Sequence, residues 1–128
     1  MTPTPEAILK TWTTAINTGD LEGLLGLYAD TAVLVPTFSN RLLQKPETIR
    51  QYFELLASRE ELSLALHEKT LVVQPIVDAI YSVGGIYCWR FAVDGELLSF
   101  EARFSLLMDC RQAKPILHHH SSQIPRTL

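Results

Sequence analysis

The sequence predicts an α+β domain, a curved antiparallel sheet with helices on one side. Three observations carry that expectation. Apolar residues recur at helical spacing in segments that end at Leu56 and begin with capping residues. From Leu62 onward the pattern turns to β, in long runs rich in β-branched and aromatic residues, with Asp94-Gly95 as a hairpin turn. One of those runs alternates cleanly between apolar and polar, while its predecessor is apolar on both faces, so both faces of the sheet are expected to be covered.

The first helix starts at Pro5 under a Thr4 cap, puts Ile8, Trp12, Ala15 and Ile16 on one face, and ends at Thr18-Gly19. Asp20 caps a second, shorter helix carrying Leu21, Leu24, Leu25 and Tyr28. The β-branched run Thr31–Pro36 reads as a strand that stops at the proline. A third helix runs from Pro46, with Ile49, Tyr52, Phe53 and Leu56 as its inner stripe and Arg50, Gln51 and Glu54 outside. Leu64–Val73 is expected as a strand, followed by Asp78–Val93 with a bulge at Gly84-Gly85, then Leu97–Met108 and Ile116–Ser122.

In Leu97–Met108, Phe100, Ala102, Phe104, Leu106 and Met108 share one face, and Ser99, Glu101, Arg103 and Ser105 share the other. In Asp78–Val93, Tyr81, Val83, Tyr87, Trp89 and Phe91 lie opposite Ile80, Ile86, Cys88 and Ala92. So few helices cannot cover two faces. The second cover is therefore expected to be another subunit, in a homodimer or larger homo-oligomer.

The 128 residues suit a single domain spanning 1–128, without repeats or linkers, and 47% apolar content is enough for a core. With 11 basic against 14 acidic residues and a net charge of −3, the chain lacks the concentrated positive charge that nucleic-acid binding needs. No apolar run approaches the roughly 20 residues that span a bilayer, so no membrane partner is expected. The start, Met1 to Glu6, has neither the charge nor the apolar stretch of a signal peptide, which predicts a cytoplasmic protein. Cys88 and Cys110 sit in apolar segments and are expected to pack as free thiols.

His118-His119-His120-Ser121-Ser122 sets three of the four histidines in a row. On a strand, His118, His120 and Ser122 point one way and His119 and Ser121 the other. The segment has three readings. Two imidazoles on one face are half of a zinc site, which Glu101 from the adjacent strand would complete. Equally, the segment could be a hydrogen-bonded polar seam on the concave side of the sheet. Third, it lines a polar pocket in which Arg103 offers a planar fork to a small oxyanion, unless Glu101 neutralises it. A metal beside Arg103 is costly in a confined site, so a metal-free pocket without cofactor is expected.

The N-terminal helix, Val33-Leu34-Val35-Pro36-Thr37-Phe38-Ser39-Asn40, Tyr52-Phe53, Asp94-Gly95, Ala102-Arg103-Phe104-Ser105-Leu106 and His118-His119-His120-Ser121-Ser122 together resemble the association domain of calmodulin-dependent kinase II. They are more similar still to its stand-alone bacterial relatives, which include the iota-class carbonic anhydrases. The resemblance runs from about Glu6 to Pro125. It implies the cone-shaped fold of nuclear transport factor two and the SnoaL-like proteins, with helices held in a strongly curved sheet, a pocket at the open end, and dimers formed through the outer sheet face. It further implies metal-free hydration of carbon dioxide to bicarbonate, with Thr37, Tyr52, Arg103, His118, His120 and Ser122 as the counterparts of the family's pocket groups. A histidine would be the base, Thr37, Tyr52 and Ser122 would orient water and carbon dioxide, and Arg103 would stabilise bicarbonate. The alternative it implies is a non-catalytic association or small-anion-binding module. Two positions depart from the family pattern: Ala113-Lys114-Pro115 replaces a glycine–tryptophan, and Phe104 stands where a tyrosine is usual.

Overall fold

In the computed structural model, which describes residues 2–125, the Thr4 hydroxyl accepts a hydrogen bond from Ala7 N and starts α1 (Pro5–Thr18). Gly19 ends α1 in the left-handed conformation, φ 70°, where a side chain would be strained. The Asp20 carboxylate then accepts from Gly23 N at 2.9 Å and caps α2 (Leu21–Leu25). Tyr28 does not belong to α2 as the sequence reading placed it. It opens β1 (Tyr28–Val35), because Ile116 N donates to Leu27 O and draws the chain into the sheet there. α3 (Pro46–Ala57) buries Ile49, Phe53 and Leu56, with Tyr52 half-buried beside them.

The expected strand Leu64–Val73 is in fact two, β2 (Ser63–Leu66) and β3 (Val72–Val77), separated by a 3-10 turn at Glu68–Thr70. The reason lies in β4 (Ile80–Val93), which pairs with β3 through Ile80–Gly84 and with β2 through Tyr87–Arg90. Gly84-Gly85 marks this change of partner and is not a bulge, since β4 pairs with β5 (Glu96–Asp109) in unbroken register from Ile80↔Asp109 to Val93↔Glu96. Thr70 Oγ1 accepts from Ile86 N at this point, and a Cβ on Gly85 would lie 3.1 Å from both Thr70 Oγ1 and Leu71 Cδ2. Glycine makes room for the turn. The Asp94-Gly95 hairpin has both φ values positive, 52° and 80°, as a type I′ turn demands.

The six strands form one curled, open sheet in the order β1-β6-β5-β4-β2, with β3 also on β4 and β6 spanning Ile116–Gln123. All pairings are antiparallel except β1 with β6, which run parallel. The helices fill the concave side, so the α+β architecture is the one expected. Asn17 fastens α1 to the sheet by bonding both the N–H and the C=O of Leu64. One continuous core runs from Ile8 to Ile116 and centres on Trp12, Tyr87 and Trp89. Cys88 and Cys110 are both buried and free. Among the described residues no helix is long and apolar enough to cross a membrane.

Candidate functional site

The register of β5 with β6 decides which way each histidine faces. β5 turns Phe100, Ala102, Phe104, Leu106 and Met108 toward the helices, because burying that face removes the most apolar surface from water. Leu106 stands opposite His119 and Phe104 opposite Ser121, so these two residues enter the interior. Arg103, Ser105 and Leu107 stand opposite Ser122, His120 and His118 on the outer face.

Six residues were assigned to one pocket from the sequence, and the structure divides them. Arg103, His118, His120 and Ser122 do share one side of the sheet, but it is the exposed convex side. Thr37 and Tyr52 belong to the concave side, across the sheet from those four. The alternation along β6 is the one expected, but its His118, His120 and Ser122 set lies on the outer face and not in the pocket, since parity alone does not say which set is inside. On the outer face His120 Nε2 bonds Ser122 Oγ at 2.8 Å. Glu101 bonds His67 Nε2 at 2.9 Å, so it serves neither Arg103 nor a His118–His120 metal site. Among the described residues no three His, Cys, Asp or Glu side chains converge to hold a metal.

The interior holds a polar chain that the sequence reading missed. Trp12 Nε1–H donates to the Tyr28 hydroxyl at 3.0 Å, which lies 2.8 Å from His119 Nδ1, and His119 Nε2 lies 3.1 Å from the Tyr87 hydroxyl. Indole can only donate, and this sets the direction. Tyr28 accepts from Trp12 and donates to Nδ1, so His119 carries its proton on Nε2 and donates to Tyr87. Any other arrangement strands a buried O–H or N–H, at a cost of about 1–3 kcal/mol. The Tyr87 hydroxyl in turn meets Ser121 and Thr37, which bond each other, and Tyr52 lies against Thr37 and accepts from Phe38 N at 3.3 Å. Trp89 Nε1 also approaches Tyr87 without reaching bonding geometry, and it is buried with no partner among the described residues. Aromatic residues with polar tips on the inward faces of α1, β1 and β4 were the available signal.

Burial controls the electrostatics of this chain. It lowers the His119 pKa to about 3, with His118 and His120 adding a smaller push in the same direction. It pushes Tyr52 up to about 12 and raises Tyr28 and Tyr87 as well. At neutral pH the interior therefore consists of protonated hydroxyls and a neutral imidazole with both nitrogens engaged. Such a set can orient a small polar group. It is poorly matched to proton transfer near pH 7.

Tyr52 also reaches the open end of the cone. There a cavity of about 510 Å³ is walled by Phe38, Leu42, Leu55, Leu56 and Phe91, with Arg41 and Arg59 on it. Phe38 packs edge-on against Trp89, Phe91 and Phe100, which fixes its ring in the wall of this cavity. Volume and lining are those of a small-molecule pocket.

The SnoaL-like domain family profile matches residues 6–127. A Xanthomonas campestris protein assigned as a calcium/calmodulin-dependent protein kinase II association domain is 28% identical, with a TM-score of 0.84 over 95% of this chain and 86% of that one. A Streptomyces avermitilis protein assigned as a dehydratase of the NTF2-like family has the same fold at 14% identity, TM-score 0.79, over 94% of each chain. So does a Caulobacter vibrioides protein described as having a cystatin-like fold, at 16% identity and TM-score 0.76, over 94% of this chain and 87% of that one. No curated protein matches the sequence. With its curled sheet, its N-terminal helices and a profile match over nearly its whole length, this chain belongs to the SnoaL-like family, within the nuclear transport factor two-like fold.

Proposed function

We propose that this chain is a small-ligand protein whose site is the cavity at the open end of the cone. The observation that carries this reading is a 510 Å³ cavity lined by Tyr52 and by apolar side chains, above a buried polar chain in which His119 is held neutral and the tyrosine hydroxyls stay protonated. Carbon dioxide hydration, which the sequence resemblance implied, is the weaker reading. His118, His120, Ser122 and Arg103 lie across the sheet from Thr37 and Tyr52, and a His119 with a pKa near 3 is a poor base for activating water. Stopped-flow measurement on chelator-treated protein is expected to give no hydration rate above buffer. A rate that disappears in Thr37→Ala would establish the enzyme reading instead. A small-molecule screen by thermal shift is expected to find ligands that Leu55→Trp, which narrows the rim, excludes.

The same protein is proposed to be a homodimer through the outer sheet face. Ile80, Ile86, Val33 and Val35 are only half-covered there, and Leu107 is 36% exposed at the centre of the sheet. Light scattering at micromolar concentration is expected to give twice the chain mass, falling to the monomer in Leu107→Glu. A monomer in the unaltered protein would refute the assembly and leave the fold untouched.

A further inference from the structure

We propose that the cavity at the open end takes an apolar monocarboxylate, with its carboxylate at Arg41 and Arg59 and its hydrocarbon body against Phe38, Leu42 and Phe91; this rests on reading that cavity as the ligand site. Among the described residues, Arg41 and Arg59 are the charged members of the cavity lining, and no Asp or Glu belongs to it. In a chain of net charge −3 that is a local reversal of sign. Arg50, Arg111 and Lys114 are each paired with an acidic side chain within 3.0 Å. Among the described residues neither Arg41 nor Arg59 has such a partner within 4.0 Å, so both are available to an external anion. The Arg59 guanidinium also lies 5.5 Å over the Phe91 ring, which holds it against the cavity wall.

The orientation follows from where the groups sit. Phe38 is anchored in the core by its edge-on contacts and forms the apolar floor, whereas both arginines are exposed at the rim. A carboxylate at the rim keeps part of its hydration and accepts from the guanidinium forks, while the body removes apolar wall from water. Phosphate and other compact, strongly hydrated anions make no use of the walls. A neutral apolar molecule makes no use of the arginines.

Titration calorimetry with phenylacetate, its neutral isostere phenylacetamide, and acetate separates these cases. Phenylacetate is expected to bind roughly tenfold or more tighter than either of the others, since each lacks one half of the recognition. Arg41→Gln and Arg59→Gln, both at exposed positions, are each expected to weaken phenylacetate roughly tenfold and to leave phenylacetamide unchanged. Equal binding of phenylacetate and phenylacetamide, insensitive to either variant, would overturn the carboxylate assignment while leaving the cavity as a ligand site. Equal binding of acetate and phenylacetate would overturn the apolar half. Absence of binding by all three at millimolar concentration, in folded protein, would remove the cavity reading itself.

Discussion

Trp12→Ala is expected to lower stability by about 3–5 kcal/mol, the range for removing a large buried aromatic side chain. Trp12 is 1% exposed, stacks on Tyr87 at 5.6 Å, and meets Trp89 and His119 edge-on at 5.9 and 5.5 Å. Alanine would lose those contacts, leave a cavity at the centre of the cone, and remove the donor that sets the direction of the Tyr28–His119–Tyr87 chain. Against a typical total of about 5–15 kcal/mol, that is a large fraction. For a domain of this size it corresponds to a fall in melting temperature of roughly 10–20 °C. Trp12→Phe keeps a ring and loses only the N–H and some volume, so it should cost markedly less. Urea denaturation followed by circular dichroism measures both. A Trp12→Ala protein within about 1 kcal/mol of the parent would mean that α1 is not seated in the sheet as described.

Mild acid is expected to destabilise the protein through His119. In the folded state burial holds its pKa at about 3, while in the unfolded chain it returns to about 6.5. Above about pH 6.5 the residue is neutral in both states and contributes no pH dependence. Below that, the unfolded chain binds a proton that the folded chain refuses, so stability falls with pH at about 1.4 kcal/mol per unit until the folded pKa is reached. Glu22 and Asp109, whose carboxyl pKa values are lowered by Arg50 and Arg111, add losses only below their ordinary values of 4.5 and 3.8. The interval from about pH 6.5 to 4.5 thus reports on His119, and a loss on the order of 2–3 kcal/mol is expected across it. His119→Leu should flatten the slope there, whereas His118→Ala and His120→Ala, at exposed positions, should keep it. Where His119→Leu fails to fold, the His119 ring resonances of the parent should stay unshifted down to pH 4.5. A slope unchanged in a folded His119→Leu, or a ring that titrates near pH 6, would show that this imidazole is not buried neutral.

The helices were legible in the sequence because their determinants are local. Thr4, Pro5, Gly19 and Asp20 act within a turn of where they stand, and the stripes of α1 and α3 follow from 3.6-residue periodicity. The Asp94-Gly95 turn and the two-sided apolar character of β4 were equally readable. The break between β2 and β3 was not, because it arises where β4 exchanges one partner strand for another. That is a property of the sheet and not of the segment Leu64–Val73.

The site divides along the same line. From the sequence by itself came the residue types, the alternation of His118, His120 and Ser122 against His119 and Ser121, and the resemblance that placed the chain in its fold. The face each set occupies came only from the tertiary structure. A strand's period of two specifies which side chains go together and leaves open which set is buried until a neighbouring strand fixes the register. β5 did so by turning Phe104 and Leu106 inward, which carried Ser121 and His119 with them and left Arg103, His118 and His120 outside. The Trp12–Tyr28–His119–Tyr87 chain joins residues from distant segments, and Arg41 and Arg59 come to one cavity from the segments on either side of α3; only the curled sheet wrapped on its helices brings each set together.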